Sequence, residues 1–342
     1  MNRQQQALEI FAAGTVIPAT PLALDENRRF DAAAQKKLTR YYLDAGVGGI
    51  ATAVHTTQFE IRDPEHNLLE PVLQTVGEEI QCFEQETGRT IVKVAGVCDD
   101  TQNAVREAEL AKQYGYDAVL LSPGGLNHRS EEELIERTKA VAAVMPIIGF
   151  YLQQSVGGRV FSYRYWQRIC EIENVIGIKC ASFNRYTTID VVRAVAFSSR
   201  RDAITLYTGN DDNIVVDLLT PYRFTVDGKT VEKRFEGGLL GHWSVCTKSV
   251  VAMFQKIKEA AGQPCIPQEL LALGVEVTDA NAAFFDVANG FKGCIAGIHE
   301  VLRRDGHMNG IWCLNPAETL SSGQVEEIDR VLDMYPNLRD PK

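Results

Sequence analysis

The chain has 342 residues, a formal charge of −10 and an isoelectric point near 5.2; one large α/β barrel or two ordinary domains fit that length, and the acidic balance argues against nucleic acid as the main partner. No apolar run approaches the roughly 18 residues of a membrane span, and the polar start Met1-Asn2-Arg3-Gln4-Gln5-Gln6 has no signal-peptide core. The eight cysteines, at 82, 98, 170, 180, 246, 265, 294 and 313, show neither Cys-x-x-Cys nor a zinc spacing, so reduced thiols in a cytoplasmic protein are the expectation.

Strands and helices alternate from the start. Residues 14–21 read as a first strand leaving into a turn bounded by Pro18 and Pro21, and 31–45 as a helix with Asp31 near its start and Gly46 as its stop. A second strand, 49–54, ends at His55-Thr56-Thr57-Gln58-Phe59. Asp63-Pro64 has the form of an N-cap with proline at the first helical position, opening a helix to about 86 with a kink at Pro71. Residues 90–96 form a third strand, 101–114 a helix closed by Gly115, and 117–122 a fourth strand halted by Pro123-Gly124-Gly125. Ser130 and Glu133 make a capping box for the next helix. The fifth strand is 146–151; a helix from about Ser162 leads to the sixth, Val175-Ile176-Gly177-Ile178-Lys179-Cys180-Ala181-Ser182. A helix at 186–198, a strand at 203–207 and Gly209-Asn210-Asp211-Asp212 follow, the last expected to cap the seventh helix. The β-rich arms around Asp227-Gly228 signal a hairpin, read as an insertion at about 222–236. Residues 239–245 are expected as the eighth strand and 247–261 as its helix; the rest is mostly helical.

Eight strands alternating with helices indicate a parallel sheet. Without a Gly-x-Gly-x-x-Gly or Walker loop, closure into a (β/α)₈ barrel fits better than an open doubly wound sheet. The expected organisation is a barrel over 12–262, with the hairpin insertion before strand 8, and a C-terminal helical region over 263–342 packed on it.

In such a barrel the active site lies at the C-terminal ends of the strands. Lys179 stands near the end of an apolar strand. Lysine is almost never buried unpaired, and burial lowers its pKa toward free amine, the form that attacks a ketone. Lys93 also lies inside an apolar strand, and composition alone does not separate the two. Lys179 has the better neighbourhood, because Tyr151 closes the preceding strand 28 residues earlier and a hydroxyl near an amine can shuttle protons. Cys180 should point out of the barrel by strand alternation.

Tyr151 with Lys179 at this spacing, the Pro18-x-x-Pro21 turn, Thr56-Thr57 after the second strand and Gly209 with Asp211-Asp212 after the seventh resemble the dihydrodipicolinate synthase/N-acetylneuraminate lyase superfamily over roughly residues 12–335. The resemblance implies a class I lyase, cleaving carbon–carbon or carbon–oxygen bonds through a lysine imine with pyruvate or another 2-oxo acid. It implies no metal, no organic cofactor and a homo-oligomer, tetramer or dimer. By it, Lys179 is the Schiff-base lysine, Tyr151 the general acid/base and Thr57 a member of its hydroxyl relay. Thr56 and Thr57 hold the substrate carboxylate, and Gly209 admits the substrate to the backbone. The departures fall in the second half of the reaction. The family's Gly-Thr-Thr-Gly-Glu reads His55-Thr56-Thr57-Gln58-Phe59. Pro123-Gly124-Gly125 stand where a relay tyrosine is usual, and Val156 where an arginine binds the second substrate, with Arg159 close by. Dihydrodipicolinate synthesis is therefore not the expected reaction. His55, Gln58, Gln153, Asn210 and His242 are the polar candidates for a rebuilt pocket, with a dehydratase, a hydratase-aldolase or an inactive metabolite-binding barrel as alternatives.

Overall fold

The computed structural model describes residues 2–341. Seven short strands, β1 (Val16–Pro18), β2 (Gly49–Thr52), β3 (Val92–Val97), β4 (Ala118–Leu121), β5 (Ile147–Leu152), β6 (Val175–Ala181) and β7 (Thr205–Thr208), are joined after the hairpin β8 (Tyr222–Val226) and β9 (Lys229–Lys233) by β10 (Phe235–Leu240). All eight barrel strands are parallel, in the order β1-β10-β7-β6-β5-β4-β3-β2, and an Ala19–Ala51 bridge brings the two ends of the sheet together. This is the expected (β/α)₈ barrel. Alternate residues fill its inside: Ile17, Ala51, Val94, Leu120, Ile148, Phe150, Tyr207 and Leu239 form one buried cluster. The other face of each strand packs against the outer helices.

Those helices are α2 (Ala32–Ala45), α3 (Leu69–Thr87), α4 (Thr101–Gln113), α5 (Glu131–Ala142), α6 (Tyr163–Cys170), α7 (Arg185–Phe197), α8 (Ile214–Leu219) and α9 (Thr247–Ala261). Several starts follow from the sequence: Asp31 caps α2 through the Ala34 N–H, and Ser130 and Glu133 form the reciprocal box on α5. The helix after the second strand is different. Residues 63–66 form a turn, with Asp63 O accepting from His66 and Asn67, and α3 starts only at Leu69. Pro71 therefore sits in the first turn of α3, where its missing N–H has no helical acceptor, and it makes no interior kink.

The ends of the barrel hold two further departures from expectation and one element with no counterpart in it. The eighth strand is Phe235–Leu240 rather than 239–245, and His242–Ser244 form a 3₁₀ turn. Gly237 and Gly238 look like breakers, but a Cβ at Gly237 would lie 2.6 Å from the Tyr207 ring and one at Gly238 2.4 Å from Trp243. The bare backbone is what lets two large rings pack onto the strand. The hairpin accordingly ends before Phe235, which already pairs with Leu206. Finally, the polar N-terminus forms α1 (Arg3–Ala13), which plugs the N-terminal end of the barrel. Phe11 stacks on Tyr207 at 4.5 Å between centroids, and Arg3 binds Glu84 and Asp117.

The C-terminal region comprises α10 (Gln268–Phe284), α11 (Cys294–Arg304) and α12 (Gln324–Met334). Its buried residues Val277, Phe284, Ile298 and Leu332 join the outer core. No helix among the described residues is long and apolar enough to cross a membrane.

Candidate active site

Lys179 lies near the C-terminal end of β6, in the wall of a pocket with about 620 Å³ of free space, its open mouth included. The residue is 8% exposed. Gly209, at the end of β7, is what gives its side chain room: a Cβ there would stand 2.6 Å from Lys179 Cε. The Lys179 Nζ sits 4.4 Å from the centroid of the Phe150 ring, which supplies the face of a cation–π contact. Burial lowers the Lys179 pKa, and the negative charge of Asp211 in the same pocket partly offsets this. Burial likewise raises the Asp211 pKa, against the pull of Lys179. The two groups thus approach each other in proton affinity and exchange a proton more readily than an exposed carboxylate and amine.

Asp211 belongs to the segment that carries the family resemblance, but its expected task is to cap the seventh helix. The residue at the N-cap of α8 is instead Asn213, and Asp211 shares the pocket lining with Lys179, near enough for their charges to act on each other. One of its carboxylate oxygens accepts from the His242 backbone N–H at 3.2 Å, and its backbone carbonyl accepts from Asn281 Nδ2 at 2.8 Å. Asn281 also accepts from His242 Nδ1 at 2.6 Å, which fixes that ring. His242, with burial pushing its pKa to about 4, is a neutral brace behind Asp211 and does not line the pocket.

Lys93 is at the other end of the barrel. It stands near the start of β3, its backbone N–H donates to Asp117, and burial with the nearby Arg3 lowers its pKa. The position alone separates the two lysines: Lys179 faces the mouth where such barrels carry chemistry, and Lys93 the plugged end.

Tyr151 is not brought to the amine. Lys179 pairs with Phe150, and Tyr151 pairs with Cys180, so both Tyr151 and Cys180 face outward. The Tyr151 ring stacks on Trp166 at 5.4 Å, and its hydroxyl accepts from the Phe161 N–H at 3.4 Å. The cause is a β-bulge. Between Ile147 and Ile148, β5 advances one residue while its partner β6 advances two, from Val175 to Gly177. The extra residue Ile176 moves Lys179 one step along, and a 28-residue spacing then falls on opposite faces.

Three other expected residues stay out of the pocket. The Thr57 hydroxyl donates to Thr20 O at 2.7 Å and accepts from the Val54 N–H at 3.2 Å, so it holds the loop together and forms no relay with Tyr151. Asn210 accepts from the Phe183 N–H at 3.0 Å and donates to Asp217 at 2.9 Å. It is a buried brace, not a substrate contact. Gln58 is likewise committed, accepting from the Leu314 N–H at 2.6 Å. Thr56, His55 and Gln153 do line the pocket. His55 is half-buried, and burial, helped by the charge of Lys179, pushes its pKa to about 4, so it is a neutral hydrogen-bonding group. Val156 lines the wall, while Arg159 donates to Arg129 O outside it.

The C-terminal region closes the pocket with Phe285, Phe291, Cys294 and Ile298. Fold and site together define a (β/α)₈ barrel with a buried amine, a partnering carboxylate and an aromatic lining at its C-terminal mouth. Residues 12–221 match the Dihydrodipicolinate synthetase family, and the chain belongs to it.

Among curated proteins, the chain is 26% identical over 211 residues to a 4-hydroxy-tetrahydrodipicolinate synthase of Desulforudis audaxviator, and 28% over 130 residues to one of Clostridium novyi. These matches span 60% and 37% of this chain, and 66% and 42% of the relatives' own lengths. Among solved structures, the 4-hydroxy-tetrahydrodipicolinate synthase of Methylacidiphilum fumariolicum SolV aligns with TM-score 0.75 at 18% identity, covering 95% of this chain and 96% of that one. The N-acetylneuraminate lyase of Mycoplasma synoviae gives 0.70 at 16%, covering 95% and 98%. A prophage protein of the dihydrodipicolinic acid synthase family from E. coli K12, solved in complex with pyruvate, gives 0.75 at 14%, covering 94% and 98%.

Proposed function

We propose that this protein is a Schiff-base lyase or aldolase in which Lys179 forms an imine with pyruvate or another 2-oxo acid. The observation that carries this reading is the placement of Lys179: a buried amine with lowered pKa, given room by Gly209, in the pocket at the C-terminal ends of the strands. The pyruvate complex of the E. coli relative supports a 2-oxo acid as the ligand class. Thr56 would take the carboxylate through its hydroxyl and backbone N–H. Asp211 would do the proton work in place of a tyrosine, protonating the carbinolamine hydroxyl as water leaves. On this reading the reaction is other than dihydrodipicolinate synthesis, with the support that Val156 offers no charge to a second substrate's carboxylate and Arg159 is turned away. Dehydration through the same imine is the alternative chemistry, separated by whether pyruvate is released.

Incubation with pyruvate and borohydride, followed by peptide mass spectrometry, tests the reading. A stable adduct is expected on Lys179, and it should persist in Tyr151→Phe, whose hydroxyl lies outside the barrel. An adduct on another residue, or none across a panel of 2-oxo acids, removes the assignment. Phe150, standing where a hydroxyl would assist, favours a second reading: a barrel that binds an acidic metabolite without turnover. Lys179→Ala separates the two, since a binder keeps most of its affinity and a lyase loses all turnover.

A further inference from the structure

Beyond Lys179, Asp211 and three uncharged polar residues, the pocket is apolar. Its apolar wall includes Leu152, Val156, Phe183, Phe285, Phe291 and Ile298. Among the described residues, Lys179 is the one cationic side chain in the lining. A substrate group placed against that wall meets hydrocarbon, and the rest of the lining offers it the uncharged His55, Thr56 and Gln153 and the one carboxylate of Asp211. An anionic group would lose its hydration with no cation to replace it, and Asp211 would repel it. An aryl or branched alkyl group would lose only unfavourable contact with water.

A separate observation points to the same place. Phe183 and Phe291 face each other edge to face, 6.0 Å between centroids, one from the loop after β6 and the other from the C-terminal region. Both have left-handed backbone, φ 53° and 67°, which a bulky side chain seldom adopts. Each is held there: the Phe183 N–H donates to the buried Asn210, and the Phe291 N–H to Asp286 O at 3.0 Å. Strained positions that the surroundings enforce concentrate at ligand clamps, and here the strain presents two rings at the pocket.

We propose that the group attached beyond the 2-oxo acid in this protein's substrate is uncharged and apolar, of aryl or branched-alkyl type, and packs against the edge-to-face pair formed by Phe183 and Phe291. This rests on the imine reading of Lys179. The substrate class is then a 4-hydroxy-2-oxo acid bearing that group at C4. The Lys179 amine adds to C2, water leaves, and the iminium forms. The Asp211 carboxylate takes the C4 hydroxyl proton, the C3–C4 bond breaks with its electron pair passing to C3, and an apolar aldehyde departs. The enamine takes the proton back at C3. Water then hydrolyses the iminium, freeing pyruvate and the amine, so the water lost on imine formation is regained and no redox partner is needed.

The test measures pyruvate release by the full chain from 4-hydroxy-2-oxobutanoates carrying phenyl, isopropyl or carboxylate at C4. The expected kcat/KM is on the order of 100-fold higher for phenyl than for carboxylate, the range that pocket contacts and an unpaired buried charge can reach. Phe291→Arg, which places a cation in the wall, should narrow that ratio by about 10-fold or more. Equal or better use of the carboxylate compound by the unsubstituted protein overturns the proposal, as does failure to cleave any member. The borohydride adduct keeps the two ideas apart: an adduct on Lys179 with the wrong order of substrates sinks the apolar grip alone, while absence of the adduct sinks both.

Discussion

At the scale of single residues, the site depends on which face of a strand a side chain occupies. Lys179 was legible because a lysine inside an apolar strand has few structural reasons to be there. Gly209 stood out only through the family resemblance, as a residue that admits substrate to the backbone, and the 2.6 Å approach to Lys179 Cε gives it another task. Tyr151 was misassigned because side-chain direction has period two, and one bulged residue, Ile176, reverses the face without leaving a mark in composition. Asp211 was hidden by its resemblance to a helix cap. Its effect on Lys179 has a definite sign. The carboxylate charge raises the amine pKa against burial, so Asp211→Asn should lower that pKa further. Free amine then persists to lower pH, and the acid limb of the cyanoborohydride-trapping profile should move toward acid. Movement in the opposite direction would show that the carboxylate is not acting on Lys179.

Among elements, periodic segments with explicit ends were the easiest to read. α2 with Asp31 and Gly46, and α5 with its reciprocal cap, lie close to where the sequence places them. Elements that depend on distant partners were harder. Pro71 looks like a kink until the start of α3 is known, and β10 is interrupted by glycines whose purpose is the packing of Tyr207 and Trp243. The hairpin was evident from Asp227-Gly228, whose φ values of 50° and 73° are those of a tight two-residue hairpin turn. Its location was not evident. It lies between α8 and β10, at the N-terminal end of the barrel, where Phe224 packs on Phe197 and Lys233 donates to Arg201 O. It is therefore no cover for the pocket. Replacing 223–232 by a short glycine linker should leave Lys179 trapping kinetics within about twofold, surface changes being mild as a rule. A larger kinetic loss in a folded variant would contradict that placement. Light scattering on the same variant reads whether the hairpin contributes to assembly.

For the whole molecule, the two chain ends have different tasks. α1 seals the barrel floor: Phe11 is 1% exposed, stacks on Tyr207, and its carbonyl accepts the Tyr207 hydroxyl at 2.8 Å. Phe11→Ala should cost about 3–5 kcal/mol, as deletion of a large buried ring usually does, read as a fall in urea midpoint at unchanged slope. A change below ~1 kcal/mol would mean the floor can collapse around the gap. This helix leaves little trace in the residue pattern, because its opening residues are polar and only Ala7 and Phe11 are buried. The far end is the complement. Phe285, Phe291 and Ile298 complete the pocket, and Asn281 holds both Asp211 and His242.

That contribution from α10 and α11 has a consequence in time. Synthesis runs from the N-terminus, and every barrel strand precedes residue 241, so the strand that carries Lys179 can be assembled while the wall of its pocket is still unmade. A nascent barrel would present an open-sided amine near Asp211, without the brace of Asn281 and without the aromatic enclosure. The pocket around Lys179 is thus completed by chain that emerges after the barrel strands, and its aromatic wall is a property of the finished protein.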